Sequence, residues 1–126
     1  MQPHALEIIK VRNLERTKRF YKSLGFVLVE EQHDGGPIHY SVDFGGCLWE
    51  FFPAKNTATA TKSSKDRLLI VDVKNFDDLL ALCEEMELAY EAVTYYDQNR
   101  GLRTTTVDDP DGWRIKLMEV SSEPVH

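Results

Sequence analysis

The stretch VRNLERTKRFYKSLGF, residues 11–26, decides the fold because a related stretch, VKNFDDLLALCEEMEL, follows at residues 73–88. In each copy an apolar segment typical of a strand, LEIIKV or LLIVDV, ends at an asparagine that can N-cap a helix. After each asparagine, apolar residues recur at the spacing of one helix face: Leu14, Phe20, Tyr21 and Leu24 in the first copy, and Phe76, Leu79, Leu80, Leu82 and Cys83 in the second. The sequence therefore predicts the same strand–helix unit twice, with Gly25 ending the first helix.

Segments typical of strands follow each predicted helix. The first copy continues with FVLVEEQ, IHYSVDF and CLWEFFP, and the second with AYEAVTYY, LRTTTV and WRIKLMEV, separated by turns that contain glycine or proline. We therefore predict an α+β fold of two tandem βαβββ modules, residues 5–53 and 67–120, within a single domain, residues 1–126. Residues 54–66, AKNTATATKSSKD, are poor in large apolar side chains and are predicted to form a mobile linker.

The composition narrows the class of protein. With 126 residues, of which 42% are hydrophobic and 29% charged, the chain is long enough to build a hydrophobic core. Its formal net charge of −6 argues against binding to nucleic acid or to an anionic membrane surface. No apolar run reaches the roughly 20 residues that span a bilayer, and the N-terminus lacks the apolar segment of a signal peptide. Cys47 and Cys83 are too few for a disulfide framework, so we expect free thiols and a cytoplasmic protein.

Two motifs and the paired module resemble one known family. The helix start N-L-x-x-x-x-x-F-Y at Asn13–Tyr21 and the turn D-P-D-G at Asp109–Gly112 look like those of the vicinal oxygen chelate superfamily, which includes glyoxalase I, the bleomycin-resistance proteins and the extradiol dioxygenases. The resemblance covers residues from about 5 to 120. It implies curved sheets that form a cup for a small ligand. It also implies a homodimer, with the cup formed either within one chain or between two.

Metal-dependent members of that superfamily carry four ligands, in the first and last strand of each module. The matching positions in this chain are Leu6, Glu50, Leu68 and Lys116. A lone carboxylate does not hold a transition metal against water, and a neighbouring ammonium group repels the ion. We therefore predict that the protein uses neither this metal site nor another cofactor.

The resemblance places Glu50 and Lys116 opposite each other, and we predict that they pair across the floor of the cup. Strand alternation adds an apolar lining and one further cation: Leu6, Ile8, Leu48, Phe52, Leu68, Ile70, Arg114 and Met118. An apolar cup with few polar groups suits a small organic ligand. Two alternatives stay open: Glu50 and Lys116 point to solvent, or the lining side chains fill the cup.

Three functions fit these features. The first, which we favour, is metal-independent binding of a small organic molecule, as in the bleomycin-resistance proteins. The second is an enzyme in which Glu50 acts as general base while Lys116 or Arg114 stabilises an oxyanion. A carboxylate beside a lysine is a weakened base, which counts against this second function. The third is a metal-dependent lyase, isomerase or dioxygenase with relocated ligands, for example His4, His39 and Glu50.

Charged residues near the predicted rim of the cup have two interpretations. Arg100 and Arg103 are candidates for attracting an anionic group of a ligand, or they simply face solvent. His33, in the turn HDGGP, and the terminal His126 are expected to be exposed.

Overall fold

The repeated stretch forms a strand and a helix in each of two compact units. The computed structural model describes residues 5–56, 59–61 and 68–121, and the units comprise residues 1–62 and 63–126. The first unit contains, in order, β1 (Ala5–Val11), α1 (Leu14–Ser23), β2 (Val29–Glu31), β3 (His39–Asp43) and β4 (Cys47–Pro53). The second contains β5 (Leu68–Val73), α2 (Phe76–Glu85), β6 (Thr94–Asp97), β7 (Leu102–Asp108) and β8 (Arg114–Glu119). The predicted α+β fold of two tandem βαβββ modules is confirmed, and neither of the described helices is long and apolar enough to cross a bilayer.

Each unit has one four-stranded sheet with the same connectivity. The strand orders are β1-β4-β3-β2 and β5-β8-β7-β6. The first and last strands of each unit pair in parallel, and the remaining pairs are antiparallel. In the parallel pairs Ile8 lies beside Glu50, and Ile70 lies beside Lys116. Because side chains alternate along a strand, every second residue of β4 and of β8 shares the face of these residues.

The opposite face of each sheet is buried. Phe51 of β4 is fully buried, and its ring stacks on that of Tyr21 in α1 at a centroid distance of 5.0 Å. In the second unit, Phe76 of α2 and Ile115 of β8 are buried to a similar degree. Both cysteines of the chain are free thiols, as predicted, and Cys83 lies among the buried residues of α2.

Local signals in the sequence explain where the helices and β8 begin. Asn13 precedes α1 in an extended conformation, and its Oδ1 accepts a hydrogen bond from a backbone N–H of the first turn at 3.1 Å, as the N-cap prediction requires. Asn75 holds the same position before α2, but its side chain makes no capping hydrogen bond with that fully described helix, because its ψ of 49° is not extended. Before β8, Asp109 Oδ1 accepts hydrogen bonds from the N–H groups of Asp111 and Trp113 at 2.9 and 2.8 Å, which fixes D-P-D-G as a tight turn.

The described end of the predicted linker lies against β1. The Lys10 N–H donates to Thr61 Oγ1, and the Thr61 N–H donates to the Lys10 carbonyl oxygen, both at 2.8 Å. Thr61 therefore satisfies backbone groups of β1 that β4 does not reach. Residues 57, 58 and 62–67 lie outside the described residues, and the mobility of the linker stays a prediction.

Replacing Phe51 with alanine is expected to lower the free energy of unfolding by about 3–5 kcal/mol, because it removes a fully buried ring and leaves a cavity beside Tyr21. Ile8→Ala is the control, since Ile8 lies on the exposed face of the neighbouring strand and its truncation is expected to cost less than about 1 kcal/mol. Urea denaturation followed by circular dichroism measures both variants. Equal losses would contradict the assignment of the two sheet faces.

Candidate functional site

The exposed face of the first sheet carries apolar side chains around a carboxylate. Leu6 and Ile8 of β1 are 53% and 54% exposed, although both are large aliphatic residues. Ile8 lies beside Glu50 in the parallel register, and Leu48 and Phe52 flank Glu50 on the same face of β4. These three β4 side chains are half-buried. The structure thus brings the predicted ligand-binding residues of the first module onto one face, while ligand binding by them stays a prediction.

His39 of β3 lies against Glu50 on this face. Its side chain is only 2% exposed, and its ring stacks on that of Phe52 at a centroid distance of 4.1 Å. Nδ1 lies 3.2 Å from the Pro37 carbonyl oxygen, which can only accept, so Nδ1 carries a proton and donates there. Nε2 lies 3.4 Å from Glu50 Oε2 and has no hydrogen-bond partner among the residues that the structure describes. With the proton on Nδ1, a neutral His39 would leave an unprotonated Nε2 3.4 Å from a carboxylate oxygen, which is unfavourable for both groups.

The end of β2 adds a second carboxylate and a second imidazole. Glu31 lies beside His39 in the antiparallel register, and its Oε1 accepts a hydrogen bond from Ser41 Oγ at 2.5 Å. Glu31 Oε2 lies 3.4 Å from Nε2 of His33. The hydrogen bond from Ser41 is the main cause of a lowered pKa of the Glu31 carboxyl, and the two nearby histidines lower it further. Glu31, His33 and His39 each place one potential ligand atom within 4.8 Å of the other two.

The sequence predicts only part of this cluster. The relocated metal site combines His39 with Glu50, and the structure brings these two residues together. Its third member, His4, lies outside the described residues. The prediction omits Glu31 and assigns His33 to solvent, where most of its side chain does lie. Glu31 becomes recognisable only from the folded structure, because the register of the β2–β3 hairpin sets it beside His39.

The equivalent face of the second sheet has a similar apolar edge. Leu68 and Ile70 of β5 are exposed, and they lie beside Arg114 and Lys116 of β8. Arg114, Lys116 and Met118 are half-buried and share one face of β8. The predicted ligand-binding residues of the second module therefore also lie together within their own unit.

Arg114 already has a partner on this face. Its Nη2 lies 2.9 Å from Glu91 Oε1, at an exposed ion pair. A shallow cavity of about 200 Å³ lies there, and Thr106 and Asp108 also line it. This volume is below the roughly 300–1,000 Å³ of typical ligand pockets. The bond to Glu91 uses one of the five N–H donors of Arg114, and the other donors are available in principle for a ligand.

Glu50 and Lys116 belong to different units, and their pairing stays a prediction. Within its own unit Glu50 Oε2 lies 3.4 Å from His39 Nε2. A cation held beside these two atoms would compensate the half-buried carboxylate without Lys116.

Arg103 lies in an ion network inside the second unit. Its Nη1 lies 2.9 Å from Asp77 Oδ1, its Nη2 lies 2.8 Å from Glu119 Oε2, and its guanidinium covers the ring of Phe76 at 4.7 Å. Hydrogen bonding to Arg103 is the main cause of the lowered pKa of both carboxyls. The sequence allows two roles for Arg103, attraction of an anionic ligand or simple exposure to solvent. Neither role fits, because Arg103 is half-buried and its N–H groups already bond to Asp77 and Glu119.

Arg103→Met is expected to lower the free energy of unfolding by about 2 kcal/mol at neutral pH, because Glu119 loses charge-assisted hydrogen bonds. Since the folded-state carboxyl pKa values are lowered, this stability is present above about pH 4 and is lost as the pH falls through the folded-state values. Urea denaturation at decreasing pH should show the wild-type and variant stabilities converging once the pH falls below the folded-state pKa values of these carboxyls.

Arg100→Met is the matched control for this prediction. Arg100 is exposed and pairs with Asp97 at 2.8 Å beside a loop, so its loss is expected to leave the unfolding free energy nearly unchanged. A loss in Arg103→Met that stays constant with pH would contradict the ion-pair explanation.

One known family and several solved structures share this architecture. The family model of the Glyoxalase/Bleomycin resistance protein/Dioxygenase superfamily matches residues 2–117. No curated protein sequence matches the chain. Among solved structures, the chain is similar to hypothetical protein SA1046 from S. aureus, with a TM-score of 0.65, 17% identity and 95% of each chain covered. It is also similar to the fosfomycin resistance protein FosX from Mesorhizobium loti, with a TM-score of 0.56, 17% identity, and coverage of 97% of this chain and 93% of that chain.

A third similar structure is the glyoxalase family protein from Enterococcus faecalis. It has a TM-score of 0.50 and 25% identity, and the similarity covers 94% of this chain and 96% of that chain. The two likenesses at 17% identity show a shared fold.

Proposed function

Because the chain belongs to the Glyoxalase/Bleomycin resistance protein/Dioxygenase superfamily, we propose that it binds a small organic molecule on the exposed sheet face around Glu50, without a metal at the superfamily's usual position. The exposed side chains of Leu6 and Ile8 carry this proposal, since they leave apolar surface in water that a ligand would cover. Leu48 and Phe52 complete the surface on β4. The second unit supports an equivalent role with its own exposed leucine and isoleucine.

Apolar contact and charge contribute differently to such binding. Covering the exposed part of Leu6 or of Ile8 stabilises a complex by roughly 1 kcal/mol each. Glu50 is half-buried among apolar neighbours, so it favours a ligand that brings a positive charge or an N–H donor. The ligand that fits best therefore combines a small apolar body with a cationic group. On the second unit, Lys116 offers the opposite charge.

The residues at the superfamily's metal positions support the metal-independent form. Leu6 and Leu68 carry no ligand atom, and the ammonium group of Lys116 repels a cation. Glu50 is the remaining ligand of the four, and one carboxylate binds a transition metal weakly.

We also propose that the protein is a homodimer and that it is located in the cytoplasm. The superfamily resemblance implies the homodimer, and two free thiols favour a reducing compartment. Sedimentation equilibrium of the purified chain measures the oligomeric state directly.

Titration of the chelator-treated, ¹⁵N-labelled chain with benzylamine, and with the uncharged benzyl alcohol, tests the proposed site. We expect shift changes at the amides of Leu6, Ile8 and Leu48, and tighter binding of the amine. Ile8→Ser is expected to weaken binding about fivefold, which corresponds to the loss of about 1 kcal/mol. Val27→Ser is the control, because it removes an exposed aliphatic side chain outside the sheet and should leave the affinity unchanged. Glu50→Gln is expected to abolish the preference for the amine.

Three results of this experiment would contradict the proposal. Shift changes confined to residues away from this face would place the site elsewhere. Binding that appears only after a metal is added would favour the metal-dependent alternative. Conversion of the ligand during the titration, lost in Glu50→Gln while binding is retained, would favour an enzyme with Glu50 as general base.

A further inference from the structure

A cluster of imidazoles and carboxylates lies on the β2–β3 hairpin and the adjoining β4. It consists of Glu31, His33 and His39, with Glu50 next to His39. We propose that Glu31, His33 and His39 form a binding site for a divalent transition metal of the zinc type, with Glu50 as the neighbouring carboxylate. This site goes beyond the proposed ligand face and does not rest on it. It also differs from the superfamily's metal position, since three of the four residues there take no part in it.

The donor set suits zinc. Proteins bind Zn²⁺ through imidazole nitrogens and carboxylate oxygens, usually four ligands in a tetrahedron. With bonds of about 2.0–2.1 Å, neighbouring ligand atoms of such a tetrahedron lie roughly 3.3–3.4 Å apart. His33 Nε2 lies 3.4 Å from Glu31 Oε2, and His39 Nε2 lies 3.4 Å from Glu50 Oε2. Each of these two pairs therefore has the spacing of two neighbouring ligands of one ion, while the group whose ligand atoms all lie within 4.8 Å of one another comprises Glu31, His33 and His39.

The other separations between ligand atoms must shorten slightly for the three residues to bind one ion. The ligand atoms of Glu31, His33 and His39 lie within 4.8 Å of one another, so the longest separation must shorten by at most about 1.4 Å to reach the edge of a tetrahedral site. His33 is 67% exposed and lies in the connection after β2, so its side chain is free to make this adjustment. His39 and Glu31 are held by neighbouring groups and provide the fixed part of the site.

The buried nitrogen of His39 is an independent indication of a cation. Nε2 is enclosed and has no hydrogen-bond partner in the described part of the chain. The other ring nitrogen donates to the Pro37 carbonyl oxygen, which is the contact that commonly orients a metal-ligating histidine. Nε2 lies 3.4 Å from Glu50 Oε2, and a cation bound beside these two atoms would satisfy both groups.

Ser41 orients Glu31 for the same site. Its hydroxyl donates to Glu31 Oε1, which leaves Oε2 directed toward His33. Ligating carboxylates are commonly held by such a hydrogen bond from a neighbouring group. Two of the three proposed ligands, Glu31 and His39, thus have the supporting contacts that a metal site needs.

Calorimetric titration of the untagged, chelator-stripped full chain with zinc chloride and nickel chloride tests the site. One ion per chain is expected for each metal. Glu31→Gln and His33→Ala should each weaken Zn²⁺ affinity at least tenfold, because each removes one ligand. Neither side chain is fully buried, so both variants are expected to fold, and circular dichroism checks this. Glu30→Gln is the matched control: it removes the same charge from the same strand, but Glu30 contacts Tyr40 on the other face and should leave the affinity unchanged.

Cobalt provides a second readout of the same site. Co²⁺ bound by nitrogen and oxygen ligands in a tetrahedral site absorbs visible light strongly, whereas hexahydrated Co²⁺ absorbs weakly. The absorption is expected in the wild type and in Glu30→Gln, and it should be lost in Glu31→Gln.

The possible results separate this proposal from its competitors. Absence of Zn²⁺ binding would overturn it. Binding that survives both Glu31→Gln and His33→Ala would overturn it as well. Binding that survives those two changes but is lost in His4→Asn would place the ion with the N-terminal histidine instead. Because the organic ligand is tested on chelator-treated protein, failure of either proposal leaves the other intact.

Discussion

The parallel register between β1 and β4 is the constraint on which the rest of the first unit depends. It sets Ile9 beside Phe51 on the buried face and Ile8 beside Glu50 on the exposed face. Because side chains alternate with a period of two, a slip of one residue would move Phe51 away from Tyr21 and bury Glu50 in its place. The aromatic contact beneath α1 therefore determines which carboxylate faces outward, and the character of the exposed face follows from the packing of the buried one.

The β2–β3 hairpin adds polar chemistry to a face that β1 and β4 make apolar. Its register sets Glu31 beside His39, and Ser41 follows on the same face of β3. The sequence does not predict that Glu31 and His39 are neighbours. The connection between β2 and β3 is long, so the pairing of the two strands cannot be derived from the turn. His33 lies in that connection, so its approach to Glu31 also depends on the folded hairpin.

Local and periodic signals explain what the sequence does predict. The repeated order of elements, the cap at Asn13 and the alternation along β4 each depend on neighbours within a few residues. The absent side-chain cap at Asn75 reflects a backbone angle that composition does not encode. The ion network around Arg103 joins α2, β7 and β8. The residues of α2 are distant in sequence from those of β7 and β8, so no local sequence pattern predicts the network. A pairing of Glu50 with Lys116 depends in the same way on contact between distant segments.

Charge balance connects the two proposals at Glu50. With neutral imidazoles, Glu31 and Glu50 give the cluster two negative charges, which one divalent ion would neutralise. Interactions between charges a few ångströms apart are strong at partly buried positions. An ion beside His39 would therefore reduce the attraction of Glu50 for a cationic ligand, whereas the metal-free cluster leaves that attraction in place. The preference of the apolar face for a charged ligand then depends on more than Glu50. It also depends on Glu31 and on whether an ion is bound beside His39.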